Sequence, residues 1–455
     1  MSASCRTQKT PAPQSAVGAL LPPGELEFQQ RPAWQQYPVG VIRLFVEFVL
    51  NAAVSLRGAS GVLEIIGPLL PDVSRTPCAN GGQMWLLRLG LYEVTRPKEK
   101  ADDWIWLVDH TIQIGTTKCL LVVGCRLAVW QAERRPLEHT DLEVLALEPV
   151  VQSDGSVVEQ QLEVVAQKTG VPRAVVSDHG TDLKRGIEAF RAKHSETASV
   201  YDIAHKVALV VKKELEGDER WGRFLQESGR TKPSVQQTPL AFLTPPSPKE
   251  KARYMNLEEL VRWGQKALAY VSSPRPVAGQ AVEKEKLEEK LGWLRQYRKA
   301  LREWQDVMSV VSTTLTYVRK EGYHQQASRQ LARRLERVTH GAMGGRVADA
   351  LVSFVAEESA CAKRGERLIG STESLESLIG KGKRLERQQS KSGFTKMVLS
   401  MAAAVVKPTK EYITAALQTV KVRDVMAWCG SKLGVSVQSQ RCQAFGCTAS
   451  GTKPG

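Results

Sequence analysis

The stretch Trp104-Ile105-Trp106-Leu107-Val108-Asp109-His110-Thr111 decides how this chain is read. A short apolar run, bounded like a buried strand, ends on an aspartate. The pattern returns downstream as Ala174-Val175-Val176-Ser177-Asp178-His179-Gly180. In a mixed α/β sheet the C-terminal ends of strands are where side chains from separate segments converge and ligands sit. Two carboxylates delivered there, with no His/Cys cluster beside them, suit a hard cation such as Mg²⁺ better than zinc.

Working outward, strand and helix signals alternate over residues 100–205. Strand candidates span 104–108, 118–127, 143–150, 174–177 and 199–203, with helical periodicity at 157–169 and 182–193. The first three strands are close enough in sequence to pair as an antiparallel meander. The later two need helical crossovers and so enter as parallel additions. That order predicts an α/β ribonuclease-H-like core with a mixed five-stranded sheet over 99–205, with Asp109 on its first strand and Asp178 at the end of its fourth.

The flanks are helical. Residues 1–38, with Pro11, Pro13, Pro22, Pro23, Pro32 and Pro38 among polar residues, read as a flexible arm. Residues 39–98 read as an α-helical N-terminal domain. Its first pattern runs from 39 to about 70 with Leu44, Phe45, Phe48 and Val49 on one stripe, a second helix covers 62–69, and a third covers 82–92 and carries Arg88. Three short helices fit either a helix-turn-helix that binds DNA or a plain helical cap. Downstream, 206–365 reads as a large all-α insertion, broken by a proline-rich loop over 231–249. Within it 283–318 looks like one helix, with Trp293, Tyr297, Leu301, Trp304 and Met308 at spacings of three and four. That is the spacing of a core stripe, with base stacking as the alternative. Residues 366–410 return to the core as its final helix, and 411–455 hold a C-terminal helix and a polar tail expected to be disordered.

Two aspartates alone are weak, since a strand-end Asp often caps the next helix. The segment Gly370-Ser371-Thr372-Glu373-Ser374-Leu375-Glu376 adds a third carboxylate. With Ser371 or Thr372 as N-cap, Glu373 falls in the first turn, where the helix dipole accounts for it. Glu376 lies further in and is the candidate third ligand. Glu288 and Glu289 compete for that role, but the amphipathic helix around them explains their charge. Asp182 is expected to face solvent on the helix after Asp178. Lys381, Lys383, Arg384, Arg387 and Lys391 follow Glu376 as a dense run that fits either a clamp on DNA phosphates or a solvated helical face, since Glu386 interrupts it.

Composition sets the partner class. The chain has 455 residues, 42% hydrophobic and 24% charged, with a formal net charge of +15 and a pI near 9.4. That balance favours a polyanion, because Lys and Arg that neutralise phosphates release counterions. No apolar run approaches the roughly 20 residues that span a membrane, and the polar, proline-rich start does not read as a secretory signal. Eight cysteines lie scattered without CxxC pairs, which argues against structural zinc, and Cys119 and Cys125 fall in an apolar run as small buried hydrophobes. A reducing cytoplasm fits.

At these residues the chain resembles bacterial insertion-sequence transposases of the DDE class. The resemblance rests on VDHT around Asp109, SDHGTDL around Asp178, YDIAHK at 201–206, and STESLESLIGKGK at 371–383 followed by KSGF at 391–394. It covers roughly residues 40–410. It implies metal-dependent phosphodiester hydrolysis at element ends and strand transfer to target DNA. Asp109 would bridge two Mg²⁺ or Mn²⁺ ions, with Asp178 and Glu376 each holding one. It implies an accessory role for Asp202 and His205, against the plainer reading in which Asp202 caps the next helix. It implies double-stranded DNA partners (terminal inverted repeats and target), a homodimer or higher oligomer on DNA, no membrane, and a bacterial cytoplasm near the nucleoid. Two alternatives stand beside it: a catalytically inactive, transposase-derived DNA-binding protein, and a metal-dependent nuclease of the same fold.

Overall fold

The computed structural model describes residues 25–70, 75–114, 117–133, 135–247, 257–277, 282–388, 395–434 and 437–446. In chain order, α1 (Glu25–Gln29), α2 (Val39–Leu50), α3 (Leu56–Ile66) and α4 (Ala79–Thr95) precede β1 (Trp104–Ile114), β2 (Thr117–Arg126), α5 (Leu127–Glu133), β3 (Glu143–Val150), α6 (Gly155–Thr169), β4 (Ala174–Ser177), α7 (Thr181–Lys193) and β5 (Ala198–Tyr201). Helices follow: α8 (Ile203–Glu216), α9 (Glu219–Gln236), α10 (Leu257–Ser272), α11 (Lys284–Leu291), α12 (Arg298–Glu321), α13 (Ala327–Leu335), α14 (Ala342–Ser359), α15 (Glu373–Glu386), α16 (Leu399–Ala403), α17 (Lys410–Thr419), α18 (Val422–Lys432) and α19 (Val437–Ala444). The chain divides into two compact units, residues 96–381 and a second made of 1–95 with 382–455. Most of the expected 1–38 arm, part of the C-terminal tail, and Lys391 and Phe394 lie outside the described residues.

The 96–381 unit is built on a mixed five-stranded sheet in the order β3-β2-β1-β4-β5. β1 pairs antiparallel with β2, and β2 with β3; β1 pairs parallel with β4, and β4 with β5. Alternation along β1 sends Trp104, Trp106 and Val108 to one face, where they pack on Val158, Leu162 and Val165 of α6 and Leu183, Ile187 and Phe190 of α7. Ile105 and Leu107 are equally buried from the other face, which is why the strand reads as a continuous apolar run. Cys119 and Cys125 are buried in β2, and burial pushes both thiols far up.

β1 is longer than the apolar run. It continues past Asp109 because β2 keeps pairing with it, Asp109 opposite Leu121 and His110 opposite Leu120. β4 stops at Ser177, so among the described residues no strand pairs with β1 beyond Val108 on the β4 side. Asp109 therefore lies within a strand rather than at its end, but at the level where the neighbouring strand stops.

In the helices after β5, the expected single helix over 283–318 is interrupted. α11 ends at Leu291, a 3-10 turn occupies Gly292–Tyr297, and α12 begins at Arg298. Gly292, a weak helix former, sits at the break. Pro233 does not end its helix: α9 runs through it to Gln236, so the loop starts later than residue 231. The aromatic stripe is core. Trp304 is fully buried, with its ring edge-on to Trp221 at 4.9 Å, and Trp293 donates from Nε1 to Thr231 Oγ1 at 2.9 Å.

The second unit corrects three expectations. The pattern over 39–70 breaks after Leu50, and α3 restarts at Ser55, whose Oγ caps it by accepting from Gly58 N–H. The third helix is 17 residues long, and its described positions are buried or half-buried except Asn80 and Thr95. Among its described positions α4 therefore presents no continuous exposed face of the kind a recognition helix lays in a groove. Gly90 shows how close its neighbour is: a Cβ there would lie 2.0 Å from Leu399 O, the first residue of α16. Finally, the described residues of the C-terminal region hold three helices, α17 to α19, with a break at Val420–Lys421 and α18 ending at Lys432.

Candidate active site

Parallel pairing of β1 with β4 sets Ile105 beside Ala174, Trp106 beside Val175 and Leu107 beside Val176. Two residues further along each chain come Asp109 and Asp178. The Asp109 carboxyl is lifted to about 7, first by burial and then by the Asp178 charge, with Glu376 adding a smaller push. The His110 N–H, donating to Asp109 Oδ1 at 2.6 Å, and the nearby His205 pull the other way. Asp178 is held by its own turn: Gly180 N–H donates to Oδ1 at 2.8 Å. His179 between them has φ +55°, a left-handed conformation uncommon outside glycine. Its ring stacks on Tyr201 at 4.6 Å, and Nε2 lies 3.2 Å from Ser199 Oγ, so β5 braces the turn that carries Asp178.

A second cluster forms where β5 meets α8 and α15. Asp202 is fully buried and accepts three hydrogen bonds: His205 N–H at 2.9 Å, His205 Nδ1 at 2.8 Å, and Thr372 N–H at 2.8 Å. It caps α8 and also anchors the start of α15, so the plain capping reading and a site role coincide in one residue. His205 Nδ1 lies 3.7 Å from Glu376 Oε1. Hydrogen bonding to Asp202, reinforced by the Asp202 and Glu376 charges, raises His205 to about 9, so it is charged at neutral pH. The Glu376 carboxyl is pushed up by burial and then by Asp202, with Asp178 contributing and His205 opposing. One donor atom from each of Asp202, His205 and Glu376 lies within 4.8 Å of the others, a spacing a cation can occupy. Asp202 is a poor ligand all the same, because three N–H donors already occupy its oxygens. It is a positioning residue. Asp109, Asp178 and Glu376 bring only carboxylate oxygens, the donor type that Mg²⁺ and Mn²⁺ take, and they act on one another electrostatically.

Other expected positions fall elsewhere. Asp182 does not simply face solvent: it accepts from Lys118 Nζ at 2.8 Å and lies 3.7 Å from His110 Nδ1. Its first-turn position on α7 turns it toward β2, which no local pattern records. Glu373 pairs with Arg319 at 2.5 Å, and Glu288 and Glu289 pair with Arg295 and Lys290. Arg88 is not available to DNA. It is buried, and its guanidinium donates to the carbonyls of Val420 and Leu417. Arg384 is partly occupied by Val49 O at 3.4 Å, while Lys383 and Arg387 are exposed and Lys381 is half-buried near His139. His110, His179 and Ser153, whose Oγ is 3.0 Å from His110 Nε2, border the acid pair and were not singled out by the sequence. The signal available was their adjacency to the two aspartates.

No protein-family model matches the chain, and no curated protein matches it. Among solved structures, the Drosophila P element transposase strand transfer complex is similar with a TM-score of 0.40 and 11% identity, covering 84% of this chain and 94% of that chain. No helix among the described residues is long and apolar enough to cross a membrane.

Proposed function

We propose that the chain is a DNA transposase of the DDE class, acting on the ends of a bacterial insertion sequence by metal-dependent phosphodiester hydrolysis and strand transfer. The observation that carries this reading is the pairing of Asp109 on β1 with Asp178 just past the end of the parallel neighbour β4, where burial and then the Asp178 charge raise the Asp109 carboxyl, with Glu376 from α15 interacting with both. Like charges gathered in this way are relieved by a cation. The strand order β3-β2-β1-β4-β5, with helices after β3 and β4, supports the ribonuclease-H-like reading of the core.

Asp109, Asp178 and Glu376 would hold the divalent ions. Bound there, such ions supply Lewis-acid polarisation and charge neutralisation for in-line displacement at phosphorus. The chain's own residues do the rest. His110 N–H orients the Asp109 carboxylate, and Gly180 N–H orients that of Asp178. Asp202 fixes the ring of His205 and the first turn of α15, so that Glu376 is presented toward the strands. Protonated His205 offsets the negative charge of the cluster when it is not balanced by a cation. Lys381, Lys383 and Arg387 supply cations along and just beyond α15 for a DNA backbone, in keeping with the +15 net charge. Synapsis of two DNA ends calls for at least a dimer.

The test is cleavage and joining with Mg²⁺ or Mn²⁺ on DNA carrying the sequence that flanks the coding region, wild type beside Asp109→Asn, Asp178→Asn and Glu376→Gln. Joined product from wild type, lost in each variant with DNA binding intact, is expected. Cleavage without joining of a pre-cut 3′-OH end would make the chain a nuclease. Binding with neither would make it a DNA-binding protein. An active Glu376→Gln would remove Glu376 from the ligand set.

A further inference from the structure

A cavity of about 630 Å³ opens beside Asp109 and Asp178, at the starts of α6 and α7. The two helices begin side by side because glycines leave room between them. A Cβ on Gly155 would lie 2.7 Å from Arg185 Cβ, and one on Gly186 would lie 2.5 Å from Val158. Arg185 therefore rises from the seam of the two helices, on the cavity wall.

Charge along the wall is largely committed. Asp154 caps α6, accepting from Ser156 and Val157 N–H at 2.9 and 3.0 Å. Asp182 is paired with Lys118. His110 is engaged on both ring nitrogens, with Nε2 3.0 Å from Ser153 Oγ and Nδ1 3.7 Å from the Asp182 carboxylate. Asp109 and Asp178 are the cation-facing pair. Two groups are left over. The exposed Arg185 guanidinium has no acidic partner among the described residues, and the exposed Thr181 hydroxyl stands at the first position of α7, whose N-cap Gly180 provides no side-chain cap. Among the described residues no Phe, Tyr or Trp lines the cavity, so they offer no platform for a base. A planar, permanently charged fork with hydroxyls beside it is the chemistry that grips a phosphodiester.

We propose that this cavity is a phosphate subsite, in which Arg185 and Thr181 hold one backbone phosphate of the DNA strand next to the phosphate presented to Asp109 and Asp178. This rests on the reading of that acid pair as the reacting centre. Arg185 and Thr181 set the register of the strand by gripping a phosphate that does not react. Cation loading of the acid pair removes the repulsion that a phosphate would otherwise meet there, so the subsite fills together with the metal.

The experiment uses the full chain, Ca²⁺, and a labelled duplex carrying the sequence that flanks the coding region, with affinity followed against salt. Arg185→Gln should reduce the slope of log K against log salt by about 1, the value for one lost phosphate contact. Thr181→Val should weaken binding without changing the slope. Lys193→Gln, at the other end of α7, is the control and should leave both unchanged. Scanning the duplex with neutral methylphosphonate should reveal one position, beside the cleaved bond, whose penalty is present in wild type and absent in Arg185→Gln. An unchanged slope, or the same penalty in the variant at every position, overturns the subsite. Joining that depends on Asp109 with no effect of Arg185 would leave the transposase reading standing and remove the subsite alone. Loss of slope at Arg185 in a protein that neither cuts nor joins would do the reverse.

Discussion

The backbone N–H of Thr372 donates to Oδ1 of Asp202 at 2.8 Å, joining residues 170 positions apart. Beside it, Ile203 N–H donates to Gly370 O at 2.9 Å. These bonds clip the start of α15 to the end of β5. Glu376, whose own N–H donates to Thr372 O, is thereby held with its carboxylate 3.7 Å from His205 Nδ1. One buried carboxylate thus couples the third acidic group to the sheet.

Removing that carboxylate should cost stability as well as activity. Asp202→Ala leaves Thr372 N–H and two His205 donors without an acceptor, a loss on the order of 2–4 kcal/mol. Urea unfolding gives the stability, and Tb³⁺ luminescence gives cation binding; both should weaken. An Asp202→Ala protein that unfolds at the wild-type urea concentration would refute the clip.

The raised Asp109 pKa makes a signed prediction about pH. Its folded value of about 7 lies above the unfolded value near 3.9. The group's contribution to stability is therefore complete below about pH 4 and is lost as pH rises to about 7. Without divalent metal, Asp109→Asn should match wild type near pH 4 and melt at progressively higher temperature than wild type up to pH 7. His205, raised to about 9, keeps its contribution below about pH 6.5 and loses it as pH climbs through 9, so it leaves the acidic window undisturbed. Millimolar Mg²⁺ at pH 8 should raise the melting temperature of wild type and not that of the variant. Parallel melting curves across pH would contradict the assignment.

Two glycines in the other unit should respond in opposite directions to alanine. Gly61 in α3 has nothing within 4 Å of a new Cβ, so Gly61→Ala should stabilise by about 0.5–1 kcal/mol. At Gly90 the new Cβ would collide with the Leu399 carbonyl, and Gly90→Ala should destabilise by about 1–3 kcal/mol. Thermal unfolding of the pair decides it; equal effects would mean that α4 and α16 are not in contact in solution.

Arg88 separates a structural from a DNA-binding cation. Arg88→Ala orphans the Val420 and Leu417 carbonyls and should cost roughly 2–4 kcal/mol. DNA affinity, measured below the melting temperature, should stay at the wild-type value, whereas Lys383→Gln should weaken it. A variant that keeps its stability but loses DNA would return Arg88 to the surface.

The parts legible in the sequence are those whose signals are local. Apolar runs at 104–108 and 174–177 and helical periodicity at 157–169 and 182–193 specify strands and helices, because each buries a face that recurs every 2 or 3.6 residues. Asp109, Asp178 and Asp202 stand out because a carboxylate next to an apolar run is chemically conspicuous, and Glu376 because it lies further into its helix than the turn where the dipole accounts for Glu373. Gly292 marked the break before α12, yet the aromatic stripe running through it hid that signal. Asp182 and Arg88 were misread because a charged side chain on a helix looks solvated until its partner arrives, here Lys118 from β2 and the carbonyls of α17 and the residue after it.

The sequence by itself determined which segments form the sheet, in which sense the strands enter it, and which acidic residues lie near its edge, since backbone geometry and the burial of apolar side chains are settled by neighbours in the chain. Tertiary structure alone decided that Asp109 stands beside Asp178, that Asp202 is spent on holding α15, that Glu376 faces His205, and that Arg185 has no acidic partner among the described residues. Those outcomes depend on strand register and on hydrogen bonds between residues far apart in the chain, and a carboxylate's pKa and role follow from the charges and donors packed around it.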